Sequence, residues 1–248
     1  MLGFPDDIRG CLFYLDGVLT KTPKVHAAAW KQMSGSFLRD WSRQTGAPFV
    51  PFDQVKDYDD DYVDGRPREE GTRAFLASRN ITLPEGTKDD SPGAQTIHRL
   101  SNRKNEILLA MIRPEGVGAY DGSVRCVQAV RDAGLRRAVV SSSANCRDIL
   151  QAAHIEDPFE VRIDGITVEC DQLRGKPAPD TFLAGAKPLG LEAAEAVVFE
   201  DARAGVAAGR AGKLGYVVGA DRVGQADGLR QHGADVVVRD LAGLLGQP

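Results

Sequence analysis

The stretch Cys11–Pro23, CLFYLDGVLTKTP, joins an apolar run to a polar turn. The run CLFYL has the composition of a short buried strand, and Asp16-Gly17 follows it at once. In an extended segment, residues two apart point to the same side, so Tyr14 and Asp16 are expected to share a face. A tyrosine therefore stands where a second carboxylate would complete an acidic pair.

Length and composition limit the class of protein. The chain has 248 residues, a net charge of −4 and 42% hydrophobic residues, enough for a sizeable core. The mild acidity argues against a nucleic-acid scaffold, which usually shows a basic face. No apolar run is long enough to cross a membrane, and the first ten residues lack the pattern of a secretory signal. The cysteines have no metal-ligand spacing and are expected to be free thiols in the cytoplasm: Cys11, Cys126, Cys146 and Cys170.

The second half of the chain alternates two kinds of pattern. Short β-branched or apolar runs (RRAVV, FEVRI, AVVF, YVVGA and DVVV) are separated by segments with helical spacing or small residues. Alternation of this kind predicts an α/β fold with a doubly wound, Rossmann-like parallel sheet. We assign residues 1–21 and 120–248 to this core domain.

The segment between these parts has a different period. The runs HAAAWKQM, EEGTRAFLASR and NRKNEILLAMI have helical patterns, and polar, proline-containing stretches separate them. No convincing strand run occurs between residues 22 and 119. The sequence therefore predicts an all-helical cap domain, residues 22–119, inserted after the first strand.

Polar residues suited to one task follow four of the predicted strands or lie in nearby loops. Open parallel sheets collect ligands at the carboxyl ends of their strands. Taken singly these residues have ordinary explanations: a serine run usually caps a helix, and a lysine or an acidic pair is usually solvated. Together, in this order, they are a strong signal: Tyr14 and Asp16; Ser141, Ser142 and Ser143 with Asn145 as a candidate N-cap; Lys176; and Glu200 with Asp201.

This set suits phosphoryl transfer. The carboxylates of Glu200 and Asp201, with the backbone carbonyl of Asp16, would hold Mg²⁺, which prefers hard oxygen ligands. Lys176 and the serine hydroxyls would neutralise the charge of the transferring group. A carboxylate nucleophile would form an aspartyl phosphate, and Asp16 would carry the proton to or from the substrate oxygen.

These motifs resemble those of the haloacid dehalogenase superfamily, in its β-phosphoglucomutase-like branch with a helical cap. The first motif of that family is D-x-D-G-V-x-T, and this chain reads YLDGVLT; the others match SSS with Asn145, the lysine of GKPAPD, and FEDARAGV. The resemblance implies Mg²⁺-dependent phosphoryl transfer on a sugar phosphate, with interconversion of β-glucose 1-phosphate and glucose 6-phosphate as the first candidate. A sugar-phosphate phosphatase of the same fold is the close alternative. We expect a monomer or weak homo-oligomer that binds no nucleic acid or membrane.

The resemblance also assigns roles in the cap. His26 matches a hinge histidine that couples cap closure to catalysis, Arg68 a substrate phosphate-binding arginine, and Lys104 a lysine facing the sugar. Without the resemblance, these would be read as ordinary surface residues.

Two departures from the family pattern matter. Ala144 replaces a lysine beside the serine loop, and Tyr14 holds the position of the nucleophile. A phenol has a reference pKa of about 10, against about 3.9 for an aspartic acid, so it is a poor substitute. Three explanations stay open: a catalytically dead phosphosugar-binding relative, a form altered at this position, or a residue assigned in error. The rest of the site is intact, which favours the second or third.

Overall fold

The structure is a computed structural model that describes residues 2–53, 56–57, 63 and 66–246. Its internal contacts divide the chain into two compact units. The first comprises Met1–Thr22 and Val117–Pro248, and the second is Pro23–Gly116. The sequence placed this division at residues 22 and 119.

The first unit is built on a six-stranded sheet in which every pair of neighbouring strands is parallel. The strand order is β3-β2-β1-β4-β5-β6, so the first strand lies in the middle. This confirms the predicted α/β fold. The β1 and β4 strands are buried along their whole length, because parallel sheets are covered on both faces. The strands are β1 Gly10–Tyr14, β2 Arg136–Val140, β3 Val161–Ile163, β4 Ala196–Glu200, β5 Tyr216–Ala220 and β6 Val236–Val238.

The second unit contains three helices, α1 Pro23–Thr45, α2 Arg68–Ala77 and α3 Ile97–Glu115, and no strand in its described residues. One apolar cluster, formed among others by Trp30, Met33, Phe37, Phe75 and Leu100, makes its core. These residues come from all three helices, so the helical patterns of the sequence specify the faces that pack together.

The helices of the first unit follow its strands: α4 Asp121–Asp132, α5 Cys146–Ala152, α6 Gly165–Cys170, α7 Asp180–Ala186, α8 Arg203–Ala211 and α9 Ala226–Gln231. Helix α7 ends at Ala186, as Pro188 predicts, and a 3₁₀ turn follows over Lys187–Leu189. In α8, a Cβ on Gly209 would lie 3.1 Å from Val217 Cγ2 on β5, so the small residue lets the helix approach the sheet closely.

The four cysteines are free thiols, as expected, with Cys170 exposed and the other three buried. None of the described helices is both long and apolar enough to span a bilayer.

Candidate active site

Parallel pairing brings the predicted core residues to one edge of the sheet. Tyr14 is the last residue of β1 and pairs with Val140, the last residue of β2, so Ser141 continues from the neighbouring strand. On the other side, Phe13 pairs with Phe199, which places Glu200 level with Tyr14. The carboxyl ends of three adjacent strands thus meet where the sequence predicted the site.

Lys176 and Glu200 form a fully buried ion pair. Both side chains have 0% exposure, and Lys176 Nζ donates a short hydrogen bond to Glu200 Oε1. The other oxygen, Glu200 Oε2, accepts from the backbone N–H of Ala202 at 2.9 Å. Since buried charges persist only when they are paired and hydrogen-bonded, Glu200 fixes the position of the lysine ammonium.

The ring of Tyr14 packs against the same ammonium. Lys176 Nζ lies 3.4 Å from the centroid of the Tyr14 ring and 5.1 Å from that of Phe182. Tyr14 is only 5% exposed, so its ring is part of the site's interior. A cation over a desolvated aromatic face is a stabilising contact, and the tyrosine therefore has a packed place in this fold.

Asp16 is held by a pair of threonines that sequence reasoning did not single out. Thr22 Oγ1 donates a short hydrogen bond to Asp16 Oδ1, and the hydroxyls of Thr20 and Thr22 are 2.9 Å apart. All three residues are buried, with Asp16 7% exposed. The signal that could have found Thr22 is its place in the quoted TKT turn, close after Asp16.

Asp201 lies against the turn that follows Asp16. A Cβ added to Gly17 would meet Asp201 Oδ2 at 1.6 Å, and Gly17 has a φ of +77°. Only glycine satisfies both the space and the left-handed backbone at this position. The Asp201 carboxylate therefore approaches the backbone directly next to Asp16.

The serine loop folds on its own hydroxyls. Ser141 is 1% exposed, and its Oγ accepts from the N–H of Ser143 at 3.1 Å. The Oγ of Ser143 accepts in turn from the N–H of Asn145 at 3.2 Å, while Ser142 is half-buried. Asn145 occupies the N-cap position of α5, as predicted, although its side chain makes no capping hydrogen bond. Its ψ of 14° is far from the extended conformation that cap residues usually adopt.

The residues at this edge suit Mg²⁺ by chemistry but are one anion short. Asp16, Glu200 and Asp201 supply the hard oxygen donors that the ion prefers. Glu200, however, is engaged by Lys176 and Ala202, and Tyr14 offers no carboxylate. Across the described part of the chain, no three His, Cys, Asp or Glu side chains are grouped closely enough to hold a metal ion. The donor types suit Mg²⁺, and the assignment of these residues as its ligands stays a prediction.

In the helical unit, two of the three predicted cap residues are in contact. Lys104 Nζ and His26 Nδ1 are 3.1 Å apart, and Lys104, 4% exposed, lies 5.5 Å from the centroid of the Trp30 ring. Burial, reinforced by the Lys104 charge, lowers the pKa of His26 well below its ordinary value. The Nδ1 atom of a neutral imidazole can accept a hydrogen bond from the ammonium, which accounts for this contact. Arg68 begins α2 and pairs with Glu69 at 3.2 Å.

Comparison with known proteins agrees with the motifs. Residues 8–213 match the family model described as haloacid dehalogenase-like hydrolase. The chain is 51% identical to the β-phosphoglucomutase of Mycobacterium bovis over 99% of its own length and 94% of that protein. It is 30% identical to the β-phosphoglucomutase of Bacillus subtilis, covering 96% and 92% of the two chains.

Among solved structures, the β-phosphoglucomutase of Clostridium difficile superposes with a TM-score of 0.75 at 24% identity, covering 96% of this chain and 93% of that one. At this identity the match supports the fold alone, whereas the sequence relatives and the family model carry the assignment. The resemblance inferred from the motifs is confirmed. The chain belongs to the haloacid dehalogenase-like hydrolase family of enzymes, in its β-phosphoglucomutase-like branch.

Proposed function

We propose that this chain is built for Mg²⁺-dependent phosphoryl transfer on a sugar phosphate, with interconversion of β-glucose 1-phosphate and glucose 6-phosphate as the first candidate reaction. The observation that carries the proposal is the buried Lys176–Glu200 pair, at the sheet edge where Asp16 and Asp201 also lie. The name of the M. bovis relative, 51% identical over nearly the whole chain, supports this choice of substrate. The free cysteines fit a reducing compartment, and we propose the cytoplasm.

Each core residue has a task that follows from its contacts. Asp16, whose carboxylate is oriented by Thr22, moves a proton at the reacting substrate oxygen. The Lys176 ammonium, fixed by Glu200, neutralises charge on the transferring phosphoryl group. The Ser141 loop binds the phosphate oxygens. Mg²⁺, held near Asp16, Glu200 and Asp201, would supply further charge neutralisation when bound.

In the helical unit, the proposal keeps the roles implied by the resemblance. Arg68 binds a substrate phosphate and Lys104 faces the sugar. His26 acts as the hinge histidine, and its contact with Lys104 supports treating the two as one functional pair.

Tyr14 makes the protein in its present form an ineffective catalyst. Its position corresponds to the aspartate nucleophile of the family, and a phenol with a reference pKa of about 10 is almost wholly protonated at neutral pH. Loss of a nucleophile costs up to about 10⁶-fold in kcat. The proposal is therefore that the site binds substrate and lacks the group that would accept the phosphoryl.

Two other functions have support of their own. The close packing of the Tyr14 ring on Lys176 favours a catalytically dead phosphosugar-binding protein, because the substitution is accommodated. The hydrolase description of the family model favours a sugar-phosphate phosphatase. Mutase and phosphatase differ in whether water reaches the phosphorylated nucleophile.

Replacement of Tyr14 by aspartate tests the proposal. The assay follows turnover of β-glucose 1-phosphate with Mg²⁺ and a bisphosphate primer, and measures free phosphate alongside. We expect negligible turnover for the protein as it stands and for Tyr14→Phe, the matched control, and substantial turnover for Tyr14→Asp. Glucose 6-phosphate without free phosphate identifies a mutase, and free phosphate identifies a phosphatase.

Robust turnover by the unmodified protein would refute the account of the nucleophile. An inactive Tyr14→Asp variant that still binds phosphosugars, tested on a broad panel, would favour the binding protein.

A further inference from the structure

The loop between β5 and α9 is held in shape by hydrogen bonds of Asp221. Asp221 Oδ1 accepts hydrogen bonds from the backbone N–H groups of Gly224 at 2.7 Å and Gln225 at 2.8 Å. The N–H of Asp221 donates to the carbonyl of Val238 at 2.8 Å, which ties the loop to the end of β6. Side chains that project from this loop therefore start from a fixed backbone.

Arg222 in this loop holds the turn that follows Asp16. Its Nε donates to the carbonyl of Gly17 at 2.8 Å, and its Nη2 donates to the carbonyl of Val18 at 3.3 Å. The guanidinium lies 3.7 Å from the centroid of the Tyr120 ring, and its side chain is only 10% exposed. The same guanidinium also donates to the carbonyl of Arg239 at 2.6 Å and to Ser123 Oγ at 3.3 Å. A planar guanidinium that is stacked and hydrogen-bonded on several sides has little freedom, so it fixes the carbonyls of Gly17 and Val18.

Gln225 in the same loop holds the residue that carries the other carboxylate. Its Nε2 donates to the carbonyl of Asp201 at 2.8 Å. Asp201 also lies against Gly17, where an added Cβ would overlap its Oδ2. One loop thus contacts both the turn that follows Asp16 and the backbone of Asp201.

We propose that Arg222 and Gln225 are positioning residues, which hold the backbones of the Asp16–Val18 turn and of Asp201 in register. For catalysis, the inference rests on the proposed function and deepens it. Both side chains bind backbone carbonyls, so they act through the residues they hold. A displacement of the order of 1 Å at a reacting group can cost about 100-fold in rate. The hydrogen bonds of Arg222 and Gln225 would prevent such a displacement of Asp16 and Asp201.

Amide hydrogen exchange in the protein as it exists tests the positioning directly. Arg222→Ala removes donors from the turn, where the N–H groups of Gly17, Leu19 and Thr20 are bonded within residues 15–20. We expect exchange in this segment to rise at least about 10-fold, because Arg222→Ala removes two charge-assisted hydrogen bonds to the turn. Gln225→Ala should raise exchange over residues 200–206 by a smaller factor, because its amide is neutral. Arg222→Lys keeps the positive charge but loses the planar, multiply donating guanidinium. Its exchange rate in the turn should therefore lie between those of the Ala variant and the parent.

Matched controls come from helix α9. Arg230 pairs with Asp227 and its side chain is 57% exposed, and Gln231 is exposed, so Arg230→Ala and Gln231→Ala should leave both segments unchanged. Exchange that stays at the parental rate in both segments overturns the proposal. An equal rise in every segment of the core unit also overturns it, since that reports loss of global stability. Should Arg222→Ala fail to fold, Arg222→Lys and Gln225→Ala decide the matter.

A kinetic arm uses the same substitutions in the Tyr14→Asp background. We expect kcat to fall about 10-fold or more for Arg222→Ala while KM for β-glucose 1-phosphate stays within about 2-fold, because the turn carries the acid–base residue. Unchanged kcat alongside faster exchange would overturn the catalytic part of the inference. An inactive Tyr14→Asp parent would instead refute the proposed function, and the exchange experiment would still decide whether the two residues position the site.

Discussion

The ammonium of Lys176 lies 3.4 Å from the centroid of the Tyr14 ring and is paired at the same time with Glu200. An aromatic face, worth about 2 kcal/mol to a desolvated cation, thus occupies the place of an anion at the end of β1. The positive charge of Lys176 is therefore balanced by Glu200 and by the Tyr14 ring. A metal ion bound in the same site would lack one negative ligand, because an aromatic face supplies no carboxylate.

The first prediction concerns metal affinity. Affinity for hard cations follows the number of charged ligands, so Tyr14→Asp should bind Mg²⁺ at least about 10-fold more tightly than the protein as it stands. Tyr14→Phe, which keeps the ring without the hydroxyl, should bind no better than the parent. Isothermal titration with Mg²⁺ at constant ionic strength measures this. Equal affinities for the Asp and Phe variants would remove position 14 from the ligand set.

The second prediction concerns the Lys176–Glu200 pair. Lys176→Met leaves the carboxylate of Glu200 buried without its cation, and breaking a buried pair in this way costs about 3–5 kcal/mol. The double variant Lys176→Met/Glu200→Gln should recover much of that loss, because no uncompensated charge remains. Urea denaturation gives the free energies of unfolding.

The same loop offers a comparison for this pair. Arg174 pairs with Asp180, but the Arg174 side chain is 75% exposed, so Arg174→Met should have a far smaller effect. If Lys176→Met were no less stable than Arg174→Met, burial would not be what makes the loss of the Lys176–Glu200 pair costly.

The third prediction concerns Gly205 in helix α8. Replacing glycine by alanine usually stabilises a helix by about 1 kcal/mol, but a Cβ at Gly205 would lie 2.0 Å from Oε1 of Glu200. The overlap should prevail and destabilise the protein by about 2–3 kcal/mol, since the buried carboxylate cannot move without leaving Lys176. Gly35→Ala in helix α1 is the control, because a Cβ there would meet only Arg39 Nη1, at an ordinary contact distance of 3.6 Å. Thermal unfolding of both variants checks the sign, and a stabilised Gly205→Ala protein would contradict the packing described for Glu200.

The fourth prediction concerns pH and His26. Burial and the Lys104 charge lower the pKa of His26 in the folded protein, while in the unfolded chain it is about 6.5. Below that pH the unfolded chain binds a proton that the folded protein excludes. This residue should therefore reduce stability as the pH falls from about 7, by up to about 1.4 kcal/mol per pH unit.

His26→Gln should remove this component of the pH dependence, measured as the difference in unfolding free energy between the variant and the parent. Lys104→Met should raise the pKa of His26 only in part, because burial is the larger cause of the shift. A parent and a His26→Gln variant with parallel stability curves between about pH 5 and pH 7.5 would contradict the lowered pKa.

Much of the architecture was readable from local pattern. Runs such as AVVF are apolar at consecutive positions, which is typical of strands covered on both faces, and β4 Ala196–Glu200 is buried throughout. Pro188 predicted the end of α7 because proline cannot continue a helix. The motifs around Asp16, Lys176 and Glu200 gave the candidate site, because parallel strands deliver their carboxyl ends to one edge.

Contacts between distant parts of the chain were not readable in this way. Arg222 and Gly17 are 205 residues apart, and no local pattern reports that a guanidinium will bond that carbonyl. Residue type likewise places Asn145 at the N-cap of α5, but it does not report that the side chain makes no capping hydrogen bond there.

Residue type and spacing along the chain determine strands, helix ends and the identity of the polar groups, because these follow from interactions within a few residues. Folding determines which of those groups meet. The tyrosine at position 14 was visible in the sequence, but its packing against Lys176 was visible only in the folded core. A buried charge must be paired and hydrogen-bonded, and the groups that surround the Lys176 ammonium, such as Tyr14 and Glu200, are far apart in the sequence.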